Sequence, residues 1–136
     1  MRNTPIRRRD RRGRGLRGVL APPGVPLRSS RSDAFDDLVV ESAVRLQRGW
    51  AGQLRAVEFL VEDVPPGEDG GGIPLGAWRP AAGERPARIV VYRRPVETRA
   101  TGERARAMLV HDVVVEQVAE LLGLEPETVD PDYGLE

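Results

Sequence analysis

The fold of this chain is decided by residues 104–123, which read RARAMLVHDVVVEQVAELLG. Apolar residues recur here at spacings of three and four, and this periodicity predicts an amphipathic helix. Additional valines and leucines widen the apolar face, so we expect the helix to be buried on more than one side. The run Val113-Val114-Val115 has no intrinsic preference for a helix, and tertiary burial must therefore hold it. Gly123 predicts the end of the helix, because glycine adopts the left-handed conformation at little cost.

The predicted helix contains His111, the single histidine of the 136 residues. The segment Leu109-Val-His-Asp-Val-Val-Val-Glu-Gln117 resembles the motif helix of the minimal zincin-like bacterial metallopeptidases, which carries His-Glu-x-x-His. The resemblance extends over roughly residues 33–136, because the predicted element order and the ending Asp132-Tyr133-Gly134 also match. It implies a small α+β domain: a helix, two or more strands with a long loop, the motif helix and a short tail. It also implies zinc as the cofactor and peptide hydrolysis as the ancestral activity.

The sequence departs from the working motif at two of its three essential positions. His111 matches the first zinc histidine, and Asp112 stands where the glutamate general base belongs. Val115 stands where the second histidine belongs, and valine cannot bind a metal. Glu116 lies about 140° around the helix from His111, which makes it a poor replacement ligand. The motif His111-Asp112-Val113-Val114-Val115 is therefore degenerate. The candidate site consists of His111 and Glu116 for a metal and Asp112 for catalysis.

Three interpretations of His111 remain open from these residues. The first is a partly buried histidine whose ring is hydrogen-bonded, the second is a weak metal site without catalysis, and the third is a retained zinc peptidase. Because no nucleophile-elbow sequence accompanies the histidine, we expect no Ser/His/Asp arrangement. We expect peptide hydrolysis to be degraded or lost. The alternative function is a non-catalytic domain that binds a peptide or a protein in the former cleft.

The charge of the chain is divided between two regions. All 21 basic residues are arginine; residues 1–31 hold ten of them and one aspartate, a net charge of +9, and residues 32–136 carry −9. The arginine-rich, low-complexity stretch predicts a disordered arm over residues 1–31, followed by one domain over residues 32–136. The arm could bind nucleic acid non-specifically through phosphate contacts. A solubilising tail, an arm folded onto the acidic domain, and a start codon upstream of the true one are the alternatives.

The remaining pattern predicts the other elements of the domain. Helical spacing begins near Ser32 and ends near Gly49. Strands are predicted over residues 56–62 and 88–93. Residues 63–86 contain eleven Pro or Gly residues and are predicted to be a long loop. Trp78 either anchors this loop on the core, which we favour, or presents an exposed aromatic ring to a partner. The family resemblance implies that the second strand runs along the cleft and that the loop lies near it. One further helical turn should follow Pro126.

Other features of the sequence limit the classes of function. Cysteine is absent, so disulfides, thiolate metal sites and cysteine nucleophiles are excluded. No apolar run is long enough to span a membrane, and a cytoplasmic location is expected. Nothing in the sequence indicates an oligomeric state. A third, acidic zinc ligand follows the motif helix in working members of the family, and four residues of the tail are candidates for it: Glu125, Glu127, Asp130 and Asp132.

Overall fold

The structure, a computed structural model, describes residues 17–18, 31–66 and 72–134, without the side chains of residues 17, 18, 31 and 32. The fold is α+β, as the sequence predicts. It consists of four strands and four helices in this part of the chain, which in chain order are β1 (Arg17–Gly18), α1 (Arg31–Leu54), β2 (Glu58–Glu62), β3 (Gly76–Arg79), β4 (Arg88–Tyr92), α2 (Arg93–Arg99), α3 (Glu103–Leu122) and α4 (Pro126–Val129).

The strands form one mixed sheet in the order β1-β2-β4-β3. β2 and β4 pair in parallel, with Phe59 opposite Ile89, whereas β3 pairs with β4 in the antiparallel direction. β3 lies within residues 63–86, so the prediction of an unbroken loop there is wrong. β4 lies between β2 and β3, so the strand predicted at residues 88–93 has no free edge to pair with a peptide. Among the described strands β1 and β3 occupy the two edges.

The main core lies between one face of the sheet and the helices α1 and α3. Alternation places Phe59 and Val61 of β2 in this core, whereas Leu60 points to the opposite face and packs with Val90 and Tyr92. The strand predicted over residues 56–62 is therefore confirmed, and its side chains alternate between the two faces of the sheet. α3 contributes the largest set of fully enclosed side chains, which accounts for its helical conformation despite β-branching: Val110, Val113, Val114, Val115, Val118 and Ala119.

The ends of the helices follow local chemistry. Gly123 adopts a left-handed conformation with φ of 73° and ends α3, as predicted. Pro126 begins α4, also as predicted. α1 is kinked at Trp50, whose backbone angles are not helical, so its first segment ends beside the predicted stop at Gly49 and a second, short segment reaches Leu54. The Trp50 indole donates a hydrogen bond to the Val129 carbonyl at 2.9 Å, a tertiary contact with α4 that the helical periodicity does not reveal.

Most of the predicted arm, residues 1–31, lies outside the described residues. Within it, the backbone of Arg17 and Gly18 pairs with β2. α1 begins at Arg31, one residue before the predicted start. No helix in the described ranges is long and apolar enough to cross a membrane.

Gly76 tests the close packing of β3 on α3. A Cβ atom at Gly76 would lie 2.6 Å from Val113 Cγ1 and 2.9 Å from the Val90 carbonyl oxygen. We therefore expect Gly76→Ala to lower the free energy of unfolding by about 1–3 kcal/mol, because backbone or core must shift. Urea unfolding measures the change.

Gly49→Ala is the matched control. A Cβ atom at this position of α1 meets nothing within 4 Å. We expect it to leave stability unchanged or to raise it by about 0.5–1 kcal/mol, as alanine does in a helix. An equal loss of stability in the two variants would contradict the packing of β3 against α3.

Candidate functional site

His111 is held by protein partners on both sides of its imidazole ring. Nδ1 lies 2.6 Å from the Ser42 hydroxyl of α1, and Nε2 lies 2.6 Å from Oδ2 of Asp130, the residue that follows α4. The other carboxylate oxygen of Asp130 accepts a hydrogen bond from the backbone N–H of Asp132 at 3.0 Å. One side chain of α3 thus connects the first helix of the domain to its C-terminal tail.

The ionised carboxylate of Asp130 determines which ring nitrogen of His111 carries a proton. Burial raises the pKa of Asp130, but the hydrogen bonds from His111 and from the Asp132 amide outweigh it, so the pKa lies below its ordinary value. An ionised carboxylate can only accept hydrogen bonds, so Nε2 of His111 carries a proton. In the neutral ring Nδ1 then accepts the hydrogen bond that the Ser42 hydroxyl donates.

The sequence led us to expect no Ser/His/Asp arrangement, and this expectation is wrong. Ser42 and Asp130 lie 69 and 19 residues from His111 and meet it only through the packing of α1 and α4 on α3. Ser42 is nevertheless 3 % exposed and lies within a regular stretch of helix, so a substrate carbonyl cannot reach its hydroxyl. The arrangement is a buried polar network that fixes the positions of three helices.

His111 has different partners from the other two predicted site residues, since Asp112 and Glu116 lie one turn apart on α3 and the charges of both raise the pKa of Tyr133. His111 bonds to Ser42 and Asp130, whereas the Glu116 carboxylate accepts a short hydrogen bond from the Tyr133 hydroxyl. Asp112 is half-buried and has an interaction partner of its own. Val115, the counterpart of the second zinc histidine, is fully enclosed in the main core.

A second polar face of α3 carries Glu116, Gln117 and Glu120. Glu116 and Glu120 are one helical turn apart, with Gln117 directly after the first of them. The Trp78 indole of β3 donates a hydrogen bond to Glu120 Oε1 at 2.9 Å, and the Gln117 side chain lies against Gly76. This face therefore borders the edge strand, which the face of Val115 does not. The four-residue spacing of Glu116 and Glu120 was visible in the sequence, but their position beside β3 was not.

The environment of Glu116 holds Tyr133 in its protonated form. The hydrogen bond to Glu116, reinforced by burial and by neighbouring carboxylates, raises the pKa of Tyr133 to about 12. Tyr133 is therefore a hydrogen-bond donor throughout the physiological range.

Trp78 also packs against the main core, in agreement with its predicted role as an anchor.

The residues present do not fit a catalytic zinc ion. Such a site needs three protein ligands and an open position. Both nitrogens of His111 are already engaged, and Val115 offers no donor atom. Across residues 31–66 and 72–134, no group of three or more His, Asp or Glu side chains is arranged to hold a metal ion.

Comparison with known proteins establishes the ancestry of the domain. A family model described as zincin-like metallopeptidase matches residues 54–135, which is more than half of the chain. The chain belongs to this family. The match begins at the last residue of α1 and contains β2 to β4, α2 to α4 and most of the tail. A search of the curated proteins finds no match.

Asp130→Asn tests the polar network of this zincin-like domain. The asparagine side chain keeps an acceptor for His111 but loses the charge, so we expect a loss of about 1–2 kcal/mol in the free energy of unfolding at pH 7. The lowered pKa of Asp130 implies that its stabilising contribution is present above pH 4 and is lost as the pH falls through the folded-state value. Wild type should therefore lose more stability between pH 5 and pH 2 than the variant does.

Asp132→Asn serves as the control, because the Asp132 side chain is exposed and only its backbone N–H contacts Asp130. It should unfold as wild type does at pH 7. Parallel pH curves for wild type and Asp130→Asn would show that the Asp130 charge contributes nothing to stability.

Proposed function

We propose that this chain has kept the zincin-like fold and has lost zinc-dependent peptide hydrolysis. The observation that supports this most directly is the enclosure of His111 between Ser42 and Asp130, with the position one turn later, Val115, buried in the core. A histidine bound in this way has no ring nitrogen free for a metal. The one-turn partner of a zinc histidine must also face the ion, which a core side chain cannot do.

The former cleft, on this proposal, lies at the face of α3 formed by Glu116, Gln117 and Glu120. These residues have the i, i+1, i+4 spacing of a zinc-peptidase helix, and two of them, Gln117 and Glu120, lie against the edge strand β3. Two carboxylates replace imidazoles in this register. Glutamine replaces the general base, and its amide cannot take a proton from a metal-bound water. Either register of the motif therefore lacks the groups that hydrolysis needs.

The test is zinc binding by the full chain. We expect equimolar Zn²⁺ to leave the melting temperature unchanged in wild type and in His111→Ala, because neither protein offers a set of ligands for the ion. Peptide hydrolysis with added Zn²⁺ should stay at the rate without protein. A rise in melting temperature that His111→Ala abolishes would overturn the proposal.

Two restored variants distinguish the two registers of the motif. The triple variant Glu116→His/Gln117→Glu/Glu120→His should gain zinc-dependent stabilisation, because its imidazoles lie one turn apart on a partly exposed face. The variant Asp112→Glu/Val115→His should lose about 1–3 kcal/mol of stability through the buried imidazole and should gain no zinc response. The reverse result would place the cleft at His111.

A second candidate function is the binding of an extended peptide, and the position of β3 favours it. β3 lies at one edge of the described sheet, and Trp78 supplies a partly buried aromatic surface there. Ile73, which precedes β3, is 69 % exposed. An edge strand offers backbone groups to an incoming strand, and the acidic side chains of Glu116 and Glu120 favour a basic partner.

A fluorescent heptapeptide of alternating arginine and valine is the probe for this binding. We expect anisotropy to report saturable binding to the full chain. A peptide of the same sequence with alternate backbone amides N-methylated should bind at least about tenfold more weakly, because it cannot complete the ladder. Equal binding of the two peptides would mean that charge alone attracts them and that no strand is added.

The arginines of residues 1–31 support a separate proposal, contact with nucleic acid. Ten guanidinium groups in a region of net charge +9 favour phosphate binding of steep salt dependence. No aromatic residue occurs in residues 1–31, so the expected contact is independent of base sequence.

A further inference from the structure

An open cavity of about 510 Å³ lies where α2 meets the first turn of α3. It is lined by Arg93, Arg94, Glu97, Thr98 and Arg106, and none of these residues belongs to the His111 network or to the Glu116–Glu120 face. The volume falls in the range of small-molecule sites. Its lining contains no aromatic and no large apolar side chain, so a ligand would be recognised through charge and hydrogen bonds.

Arg93 forms a fixed wall of this cavity. Its Nε and Nη2 atoms lie 3.1 and 3.0 Å from Oδ1 of Asp63, and its Nη1 atom lies 3.1 Å from Oε1 of Glu97. The backbone N–H of Arg94 also donates to the Asp63 carbonyl at 3.0 Å. These bonds tie the start of α2 to the end of β2 and leave little freedom at the Arg93 side chain.

Arg94 and Arg106 supply the positive charge that remains. In the part of the chain that the structure describes, neither guanidinium group has a carboxylate partner. Nε of Arg106 is buried and donates to no acceptor there. A buried N–H of a charged group is unfavourable without an acceptor, so an anion in the cavity would complete its hydrogen bonding. The exposed side chain of Arg94, across the cavity on α2, would bring a second guanidinium group to the same anion.

We propose that this cavity binds a phosphate group, either free or carried by a small molecule. Guanidinium groups match phosphate oxygens in a bidentate manner. Two of them on different helices, together with Thr98, which also lines the cavity, suit the several oxygens of a tetrahedral dianion. A carboxylate, with two oxygens in one plane, would be satisfied by a single guanidinium group and would leave the other donors unused.

The experiment is a titration of the ¹⁵N-labelled full chain with inorganic phosphate at constant ionic strength. The arginine Nε–Hε resonances are followed, and the resonance of Arg106 is identified by its loss in Arg106→Gln. We expect this resonance to shift and to saturate. Arg94→Gln should weaken the affinity at least about tenfold, as expected for loss of a charge-assisted hydrogen bond. Arg99→Gln should not change it, because Arg99 is an exposed residue of α2 outside the cavity.

Arg106→Lys keeps the charge but removes the Nε–H donor, so it should also weaken phosphate binding. Because this variant lacks the Arg106 resonance, its affinity is measured by calorimetry. Titration with glucose 6-phosphate separates the two sources of the ligand: tighter binding than inorganic phosphate indicates an organic phosphate, and equal binding indicates the free ion. Shifts that do not saturate, or an equal loss of affinity in Arg94→Gln and Arg99→Gln, would overturn the proposal. The arginines of residues 1–31 are common to every variant and cannot produce the difference.

Discussion

The burial of α3 against α1 and the sheet is the constraint on which the other features depend. Six of its side chains are enclosed, and together they occupy more than one side of the helix. The polar side chains of α3 lie on strips between and opposite these enclosed residues. One strip carries His111 and faces α1 and the tail. Another carries Glu116, Gln117 and Glu120, of which Gln117 and Glu120 lie against β3 and Glu116 bonds to Tyr133 of the tail. The roles of all four residues follow from which strip they occupy.

The local signals in the sequence predict much of this fold. The periodicity of residues 104–123 predicts α3, and Gly123 and Pro126 mark the boundaries that the structure has. Alternation in β2 predicts which residues face the main core. These features depend on neighbours within one or two turns or on burial of one face. Both are visible in a single sequence.

The features that the sequence does not predict depend on distant pairing. β3 consists of Gly-Ala-Trp-Arg, which has weak strand preference, and it forms a strand because β4 pairs with it. Arg93 and Pro95 stand in a helix because Arg93 bonds to Asp63 and Glu97, and the proline lies early enough in α2 to lose no helical bond. The Ser42–His111–Asp130 network likewise requires the tertiary packing of three helices.

The same limit explains the candidate site. A search for the ligand spacing around the single histidine leads to Val115, whereas burial shows that this position belongs to the core. Without knowledge of which strip of α3 borders β3, nothing in the sequence ranks Glu116 and Glu120 above the other carboxylates of the helix. The predicted element order suggests the family, and the family match supports it. Which face of α3 borders β3 is known only from the structure.

Side-chain hydrogen bonds hold the tail of the domain to α3. In working members of the family an acidic residue beyond the motif helix completes the zinc site, and the ion thereby ties the tail to the helix. Here the tail is tied to α3 by two hydrogen bonds, from His111 to Asp130 and from Tyr133 to Glu116. The two residues of α3 in these bonds, His111 and Glu116, lie more than one turn apart and on different polar strips of the helix. In this contact Nε2 of His111 and one lone pair of the Asp130 carboxylate are both occupied, so the hydrogen bond that holds the tail uses atoms that a metal ion would need.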